Sequence, residues 1–143
     1  DHDGKPCSLH RTFLRQDGLA KADMAAPRKL MPGDMPPGAC VRLSEHATGP
    51  LGVGEGIETA MSASALYELP VWSALNAQLL AKWLPPEGCT EVFIFGDNDA
   101  SHTGQAASYA LSRRLRAKGI ETTVMFPESE GTDFADVWME TMK

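Results

Sequence analysis

The chain has 143 residues, of which 43% are hydrophobic and 22% charged, and this suits one globular domain with a buried core rather than two. No apolar run approaches the roughly 20 residues that span a bilayer, and no signal-peptide pattern opens the chain, so we expect no membrane partner. The net charge of −6 is concentrated after residue 43, where fourteen acidic residues accompany six basic ones, and such a balance is not typical of a free-standing nucleic-acid binder.

Residues 1–47 are predicted to form an extension ahead of the main domain. The stretch "PCSLHRTFLRQDGLAKAD" alternates loosely and turns at Gln16-Asp17-Gly18, which predicts a β-hairpin. The next stretch is rich in Pro and Gly and ends in a strand-like segment at residues 39–43. Residues 1–43 carry seven basic and five acidic residues, so this part of the chain is weakly basic.

Residues 48–143 alternate between strand and helix patterns. In chain order these are the strand "LGVGEG", the helix "IETAMSASALYEL", the strand "VWSAL", the helix "NAQLLAKWL" with Asn76 as N-cap, the strand "EVFIFGD", the helix "GQAASYALSRRLRAKG", the strand "ETTVMF" and the helix "TDFADVWMETM" with Thr132 or Asp133 as N-cap. In the third helix, Ala106, Tyr109 and Ala110 are predicted to share the packed face. The alternation predicts an α/β fold, with a mainly parallel four-stranded sheet flanked by helices.

Acidic residues follow several of these strands. Glu55 ends the first strand, Asp97 and Asp99 follow the third, and the segment with Asp133 and Asp136 follows the fourth. Ligands of such sheets collect beyond the carboxyl ends of the strands, so we expect these carboxylates to converge. Two carboxylates about 4 Å apart repel by roughly 4 kcal/mol at an effective dielectric of 20. A hard cation such as Mg²⁺ or Mn²⁺ would relieve this repulsion, because oxygen ligands without His or Cys suit such ions.

Simpler interpretations of the same residues stay open. An isolated Asp-x-Asp is commonly a turn or a helix N-cap, and Glu55 between two glycines is also typical of a solvated turn. Other acidic or phosphate-binding motifs fit less well. The EF-hand spacing counted from Asp97 fails, because His102 and Ser108 occupy the positions that need Gly and Glu. No P-loop motif occurs, and the residues after Asp99 do not match haloacid-dehalogenase phosphatases.

The cysteines and the first residue bear on the cellular context. Cys7, Cys40 and Cys89 lie far apart and are odd in number, which argues against a disulfide framework or a structural zinc site and fits a reducing cytoplasm. The chain begins with Asp rather than Met, so we expect it to be an excised piece of a longer protein.

Three motifs in order resemble a known family. "VGEGIETAMSA", "VFIFGDNDASHTGQAA" and "GTDFADVW" are similar to the Toprim domain shared by bacterial primases and by type IA and type II topoisomerases, and most of all to Toprim primase-like proteins of phages, plasmids and integrative elements. The resemblance covers residues 51–142, and the preceding segment also looks like the one found ahead of the Toprim domain in that subgroup. It implies a Toprim-like (Rossmann-like) fold for residues 48–143, with residues 1–47 as the hairpin extension.

The resemblance also implies roles for the matching residues. Glu55 corresponds to the motif glutamate, a metal ligand and general acid or base, and Asp97 and Asp99 to the pair that binds Mg²⁺ or Mn²⁺. Asp136, and less directly Asp133, match a late acidic position that assists a second metal ion. The chain departs from cellular primases at Thr59, where they carry an Asp; Glu58 either substitutes for it or faces solvent.

The function implied is metal-dependent nucleotidyl transfer, with RNA primer synthesis on a single-stranded DNA template from nucleoside triphosphates. The expected neighbours in the same polypeptide are a zinc-binding module and a helicase. The alternatives are a Toprim nuclease of the overcoming-lysogenisation-defect type and a non-catalytic DNA-repair scaffold. The basic residues of the hairpin are interpreted either as a template-binding face, with Phe13 available for stacking, or as a solvated face: His10, Arg11, Arg15, Lys21, Arg28 and Lys29.

Overall fold

The computed structural model describes residues 1–18, 20–46 and 48–143. Within these ranges, none of the helices is long and apolar enough to cross a membrane. The described residues form six strands and four helices: β1 (His10–Thr12), β2 (Arg28–Leu30), β3 (Gly49–Gly54), α1 (Ile57–Tyr67), β4 (Val71–Ser73), α2 (Ala77–Lys82), β5 (Cys89–Phe95), α3 (Thr103–Arg116), β6 (Glu121–Met125) and α4 (Phe134–Thr141).

The main sheet contains the four predicted strands. Their order is β4-β3-β5-β6, and all three pairings are parallel, which confirms the predicted α/β architecture. The central pair is β3 and β5, which run side by side from Gly49 opposite Cys89 to Gly54 opposite Phe95. The chain order reverses between these two strands, because β4 lies outside β3 and β6 lies outside β5. Such a reversal is where open α/β sheets place their ligands.

Each face of the sheet has its own apolar core, because alternate residues of a strand point to opposite faces. On one face, Leu51, Val53 and Ile94 are fully buried under α2 and α3. On the other face, Val71 and Phe95 pack with Phe134 under α1 and α4. The predicted covering of both faces by helices is therefore confirmed.

The predicted N-terminal hairpin is also present. β1 and β2 pair in antiparallel register, with His10 opposite Leu30. The chain turns where Gly18 N–H donates to the Arg15 carbonyl at 2.9 Å, at the predicted turn. Residues 39–43 form no strand of their own, contrary to the strand-like pattern. Val41 instead makes a single antiparallel bridge to Ser73, on the outer edge of β4.

The packed face of α3 differs from the prediction. Tyr109 is 59% exposed, and Ala106 and Ala110 also face solvent. The helix instead packs through small or apolar side chains: Gly104, Ala107, Ser108, Leu111, Ser112 and Leu115. Two of these are serines that allow close approach to the sheet, and Ser112 shares a 2.7 Å hydrogen bond with Thr122 of β6. A pattern based on hydrophobicity alone does not identify such positions.

Candidate active site

A cleft with a volume of about 590 Å³ lies at the carboxyl ends of β3 and β5. Four of the five predicted acidic residues line it, and the fifth, Asp99, lies next to them in the loop after β5. The extension contributes one side of the same cleft. The lining includes Glu55, Thr59, Asn76, Asp97, Asp133 and Asp136 from the main domain, and His10, Lys21 and Arg28 from the extension.

Glu55 directly follows β3, and a hydrogen bond to its backbone carbonyl fixes its position. The hydroxyl of the fully buried Ser73 donates to the Glu55 carbonyl at 3.2 Å and accepts from the Leu75 N–H at 3.2 Å. Burial and the negative charge of Asp99 raise the pKa of the Glu55 carboxyl, while the Ala77 N–H and the charge of Arg28 lower it in part. The pKa of Glu55 therefore lies above that of an ordinary exposed glutamate.

Asp97 is the most perturbed carboxyl group of the cleft. Burial, followed by the charges of Glu55 and Asp133, raises the pKa of Asp97 to about 7. The hydroxyl of Thr59 lies 3.4 Å from one Asp97 oxygen and 3.5 Å from one Asp133 oxygen. A hydroxyl group has one proton to donate, so Thr59 bridges the two carboxylates but satisfies one at a time.

Asp99 has the opposite environment. It accepts hydrogen bonds from the Ser101 hydroxyl, from Gly104 N–H at 2.8 Å and from Thr103 N–H at 3.2 Å. The Ser101 bond, followed by the Gly104 bond, lowers the pKa of Asp99 to about 2. Asp99 is therefore an ionised side chain fixed to the start of α3, and it repels the protonatable groups beside it.

Asp133 and Asp136 form the N-terminal cap of α4. Asp133 is the N-cap, as one of the two predicted alternatives, and its Oδ1 accepts from Ala135 N–H at 2.7 Å and Asp136 N–H at 3.1 Å. The Asp136 carboxylate accepts from Asp133 N–H at 3.1 Å, which completes a capping box. The second Asp133 oxygen faces Thr59 and the cleft. One carboxylate thus both caps a helix and contributes to the site.

Asn98, the middle residue of the Asp-Asn-Asp motif, joins the two acidic loops. Its side chain donates to the Pro127 carbonyl at 2.9 Å and accepts from Gln105 at 2.9 Å. Its backbone accepts from Gly131 N–H and donates to the Thr132 carbonyl. Sequence reasoning did not identify this role, although an amide between two acids at a strand end was a usable signal.

Glu58 is not simply a solvent-facing residue, because its carboxylate pairs with two cations of the extension. Its carboxylate lies 2.8 Å from Lys21 Nζ and 3.9 Å from Arg28 Nη1. Burial raises the pKa of Glu58, but the hydrogen bond and charge of Lys21, with the charge of Arg28, outweigh it and leave the pKa lowered. Glu58 is therefore directed towards the hairpin.

The predicted nucleic-acid-binding residues divide into two groups. His10, Lys21 and Arg28 line the cleft. The other three do not: Arg15 pairs with Asp17 at 2.7 Å, while the cationic groups of Arg11 and Lys29 each lie 5.9 Å from the centre of the Phe13 ring.

The donor atoms of the cleft fit a hard divalent cation. They are carboxylate oxygens, and burial together with neighbouring negative charges raises the pKa values of Glu55 and Asp97. In the part of the chain that the structure describes, no three His, Cys, Asp or Glu side chains are arranged to hold a metal ion. The carboxylates of Asp99 and Asp133 are turned towards the N–H groups that begin α3 and α4.

Comparisons with known proteins identify the family. Residues 50–143 match the family model of the Toprim domain, and residues 1–43 match that of a domain of unknown function, DUF7146. The chain is similar to a crystal structure of a DNA primase domain from Pseudomonas aeruginosa, with a TM-score of 0.61 and 13% sequence identity. The similarity covers 98% of this chain and 44% of that one, so this chain spans less than half the length of its structural relative. No curated protein matches the sequence. Since the Toprim model matches well over half of the chain, and the fold agrees, the chain belongs to the Toprim domain family.

Proposed function

We propose that this chain is the Toprim part of a DNA primase, in which it transfers nucleotidyl groups to make RNA primers. Membership in the Toprim family supports a role in nucleic-acid metabolism. The observation that carries the finer proposal is the cleft: Glu55 and Asp97 from neighbouring central strands lie opposite Lys21 and Arg28. An acidic group that suits a divalent cation and a basic pair that suits phosphate together favour phosphoryl-transfer chemistry.

Mg²⁺ or Mn²⁺ held by Glu55, Asp97 and Asp99, with Asp133 and Asp136 as further ligands, would supply the positive charge that activates an attacking hydroxyl group and neutralises the phosphoryl centre. Toprim membership and the oxygen donors of the cleft support this assignment.

The protein's own groups have separate tasks in this proposal. Glu55, whose pKa is raised, accepts the proton of the primer 3′-hydroxyl and holds it on a carboxylate oxygen. Asp99 stays ionised, because three hydrogen bonds stabilise its charge. Thr59 orients Asp97 and Asp133, and Lys21 and Arg28 bind phosphate oxygens.

The proposed division of labour follows the two parts of the chain. Residues 48–143 carry the catalytic carboxylates, and residues 1–47 supply the cations on the opposite side of the cleft. The proposed partners are a single-stranded DNA template, nucleoside triphosphates and other domains of the same polypeptide, such as a zinc-binding module and a helicase. An origin in a mobile element and a cytoplasmic location remain predictions.

Ribonucleotide incorporation on single-stranded DNA tests the proposal, measured with the intact protein and Mg²⁺. Glu55→Gln should lower the rate roughly 10²- to 10⁴-fold, because it removes the proton acceptor and a metal ligand. The matched control is Glu121→Gln, an exposed change at the amino end of β6, which should leave the rate unchanged. Strand cleavage without incorporation would contradict primer synthesis and favour the nuclease. Neither activity, with no metal dependence, would favour the scaffold.

A further inference from the structure

A basic pair at the mouth of the cleft is held by one carboxylate. Lys21 Nζ lies 2.8 Å from one oxygen of Glu58, and Arg28 Nη1 lies 3.9 Å from the other. Lys21 comes from the returning arm of the hairpin turn, where it bridges Leu14, and Arg28 begins β2. Glu58 lies in the first turn of α1, three residues after Glu55. The group therefore connects the extension to the cleft.

Stability alone does not account for this arrangement. The three side chains are 39%, 54% and 38% exposed for Lys21, Arg28 and Glu58, and ion pairs that exposed contribute little to folding. Lys21 and Arg28 are also the only Lys or Arg residues that line the cleft in the part of the chain that the structure describes. Both cations therefore point into the same space as Glu55 and Asp97.

We propose that Lys21 and Arg28 form a phosphate-binding pair, and that the Glu58 carboxylate is its resident counter-ion, which the phosphate groups of a bound triphosphate displace. The choice of a triphosphate as the ligand rests on the proposed function. Carboxylate and phosphate oxygens accept the same charge-assisted hydrogen bonds from Lys and Arg, so Glu58 occupies the position of a phosphate group. The cleft volume of about 590 Å³ is in the range of small-molecule sites.

The exchange has a definite consequence for affinity. Glu58 competes with the ligand for both cations and also repels it, so its charge weakens phosphate binding. Neutralising Glu58 frees Lys21 and Arg28 to bind phosphate and removes one negative charge from the cleft. Neutralising Lys21 instead removes one of the two cations that bind phosphate. The two substitutions therefore act in opposite directions, although both break the same ion pair. A purely structural ion pair predicts the same direction for both.

Titration of the chain with inorganic triphosphate and Mg²⁺, followed by NMR, measures the dissociation constant of each variant. Glu58→Gln should bind roughly three- to tenfold more tightly than the wild type, and Lys21→Gln roughly tenfold more weakly. The matched control is Lys29→Gln, which removes one charge from the residue next to Arg28, outside the cleft, and should change the affinity less than about twofold. A short oligothymidylate without a terminal triphosphate tests the other source of phosphate and should bind more weakly than triphosphate.

Several outcomes would overturn the proposal: no saturable binding of triphosphate by the wild type, weaker binding by Glu58→Gln while the β1–β2 amide signals are unchanged, or equal losses in Lys21→Gln and Lys29→Gln. If Glu58→Gln displaces the hairpin, Lys21→Gln and Arg28→Gln measure the pair directly with Glu58 in place, and an unchanged affinity in both contradicts the proposal. None of these readouts requires turnover. A protein that binds triphosphate through Lys21 but makes no primer therefore retains this site and loses the proposed function.

Discussion

Asp97 is the residue at which the electrostatic cost of the cleft is greatest. Its folded-state pKa of about 7 lies well above the ordinary value of 3.8, because burial and the charges of Glu55 and Asp133 oppose its ionisation. The folded chain thus retains a proton that the unfolded chain releases. The proton on Asp97 therefore contributes most to the free energy of unfolding at low pH, and this contribution is lost as the pH rises from about 4 to about 7.

Asp97→Asn should therefore stabilise the metal-free chain. At pH 8 we expect an increase of about 1 to 3 kcal/mol in the free energy of unfolding, a figure reduced for the partial solvent access of the site. The gain should shrink as the pH is lowered from about 7 to about 4, because Asp97 then becomes protonated in the wild type. Chemical denaturation at several pH values measures it. A gain that is the same at every pH would show that Asp97 does not titrate in this range.

Gly104 allows the loop after β5 to approach α3. A Cβ atom at this position would lie 2.6 Å from the Asp97 carbonyl oxygen and 3.1 Å from a carboxylate oxygen of Asp99. The first contact involves backbone and is closer than real Cβ atoms come, so the loop must move.

Gly104→Ala is expected to destabilise the chain by about 1 to 3 kcal/mol, despite the better helix propensity of Ala, and to weaken Mg²⁺ binding. Thermal unfolding and metal titration measure the two effects. Ala106→Ser, which also adds one heavy atom but at an exposed position of α3, is the control. Equal behaviour of the two variants would mean that the close approach has no role.

At the scale of elements, the site depends on two loops that Asn98 holds together. The loop after β5 carries Asp97 and Asp99, and the loop after β6 leads to Asp133. Asn98 bonds to Pro127 through its side chain, and to Gly131 and Thr132 through its backbone. The carboxylates of the two loops are therefore positioned by a shared set of hydrogen bonds.

Asn98→Ala should cost about 1 to 3 kcal/mol in stability, because it leaves the partly buried Pro127 and Gln105 groups without their partner, and it should also weaken Mg²⁺ binding. Urea denaturation and metal titration test this. Leu115→Val, on the buried face of α3 and away from both loops, gives a comparably destabilised control. If both variants bind Mg²⁺ equally well, Asn98 contributes to stability but not to the site.

The order and type of the main-domain elements follow from local patterns in the sequence. Alternating strand and helix segments predict the parallel sheet, and Asn76 caps α2 as expected, by accepting from Leu79 N–H at 2.9 Å. The packed face of α3 does not follow from the pattern of hydrophobic residues, because Ser108 and Gly104 lie on it by virtue of their small size. A Cβ atom added to Gly96 would clash with the Ser108 hydroxyl oxygen, so the close contact between α3 and the end of β5 requires Gly at position 96.

The predicted acidic residues of the site follow from one rule about the carboxyl ends of parallel strands. The contacts that organise them do not, because they join distant parts of the chain. Thr59 faces Asp97 and Asp133, which are 38 and 74 positions away in sequence. Likewise, the charge of Glu58 is visible in the sequence, but its pairing with Lys21 depends on where the hairpin docks.

At the scale of the whole molecule, the uneven charge determines what the chain binds without help. Fourteen of the nineteen acidic residues lie after residue 43, and of the six basic residues that the hairpin was expected to offer, three lie outside the cleft. Proteins bind nucleic acid non-specifically by neutralising phosphates with Lys and Arg.

We therefore expect the chain alone to bind single-stranded DNA at about micromolar affinity or more weakly at physiological salt. Fluorescence anisotropy with a labelled oligonucleotide measures it. Nanomolar binding under these conditions would mean that the hairpin cations dominate the acidic surface.

The central claim is that the carboxylates at the ends of β3 and β5 form a divalent-metal site, and titration with Mg²⁺ and Mn²⁺ by NMR tests it most directly. We expect saturable changes in the amide signals of Glu55, Asp97, Asp99, Gly104 and residues 133–136, absent in Asp97→Asn and retained in Glu121→Gln. No saturable change below a concentration on the order of ten millimolar, or the same change in Asp97→Asn, would contradict the account.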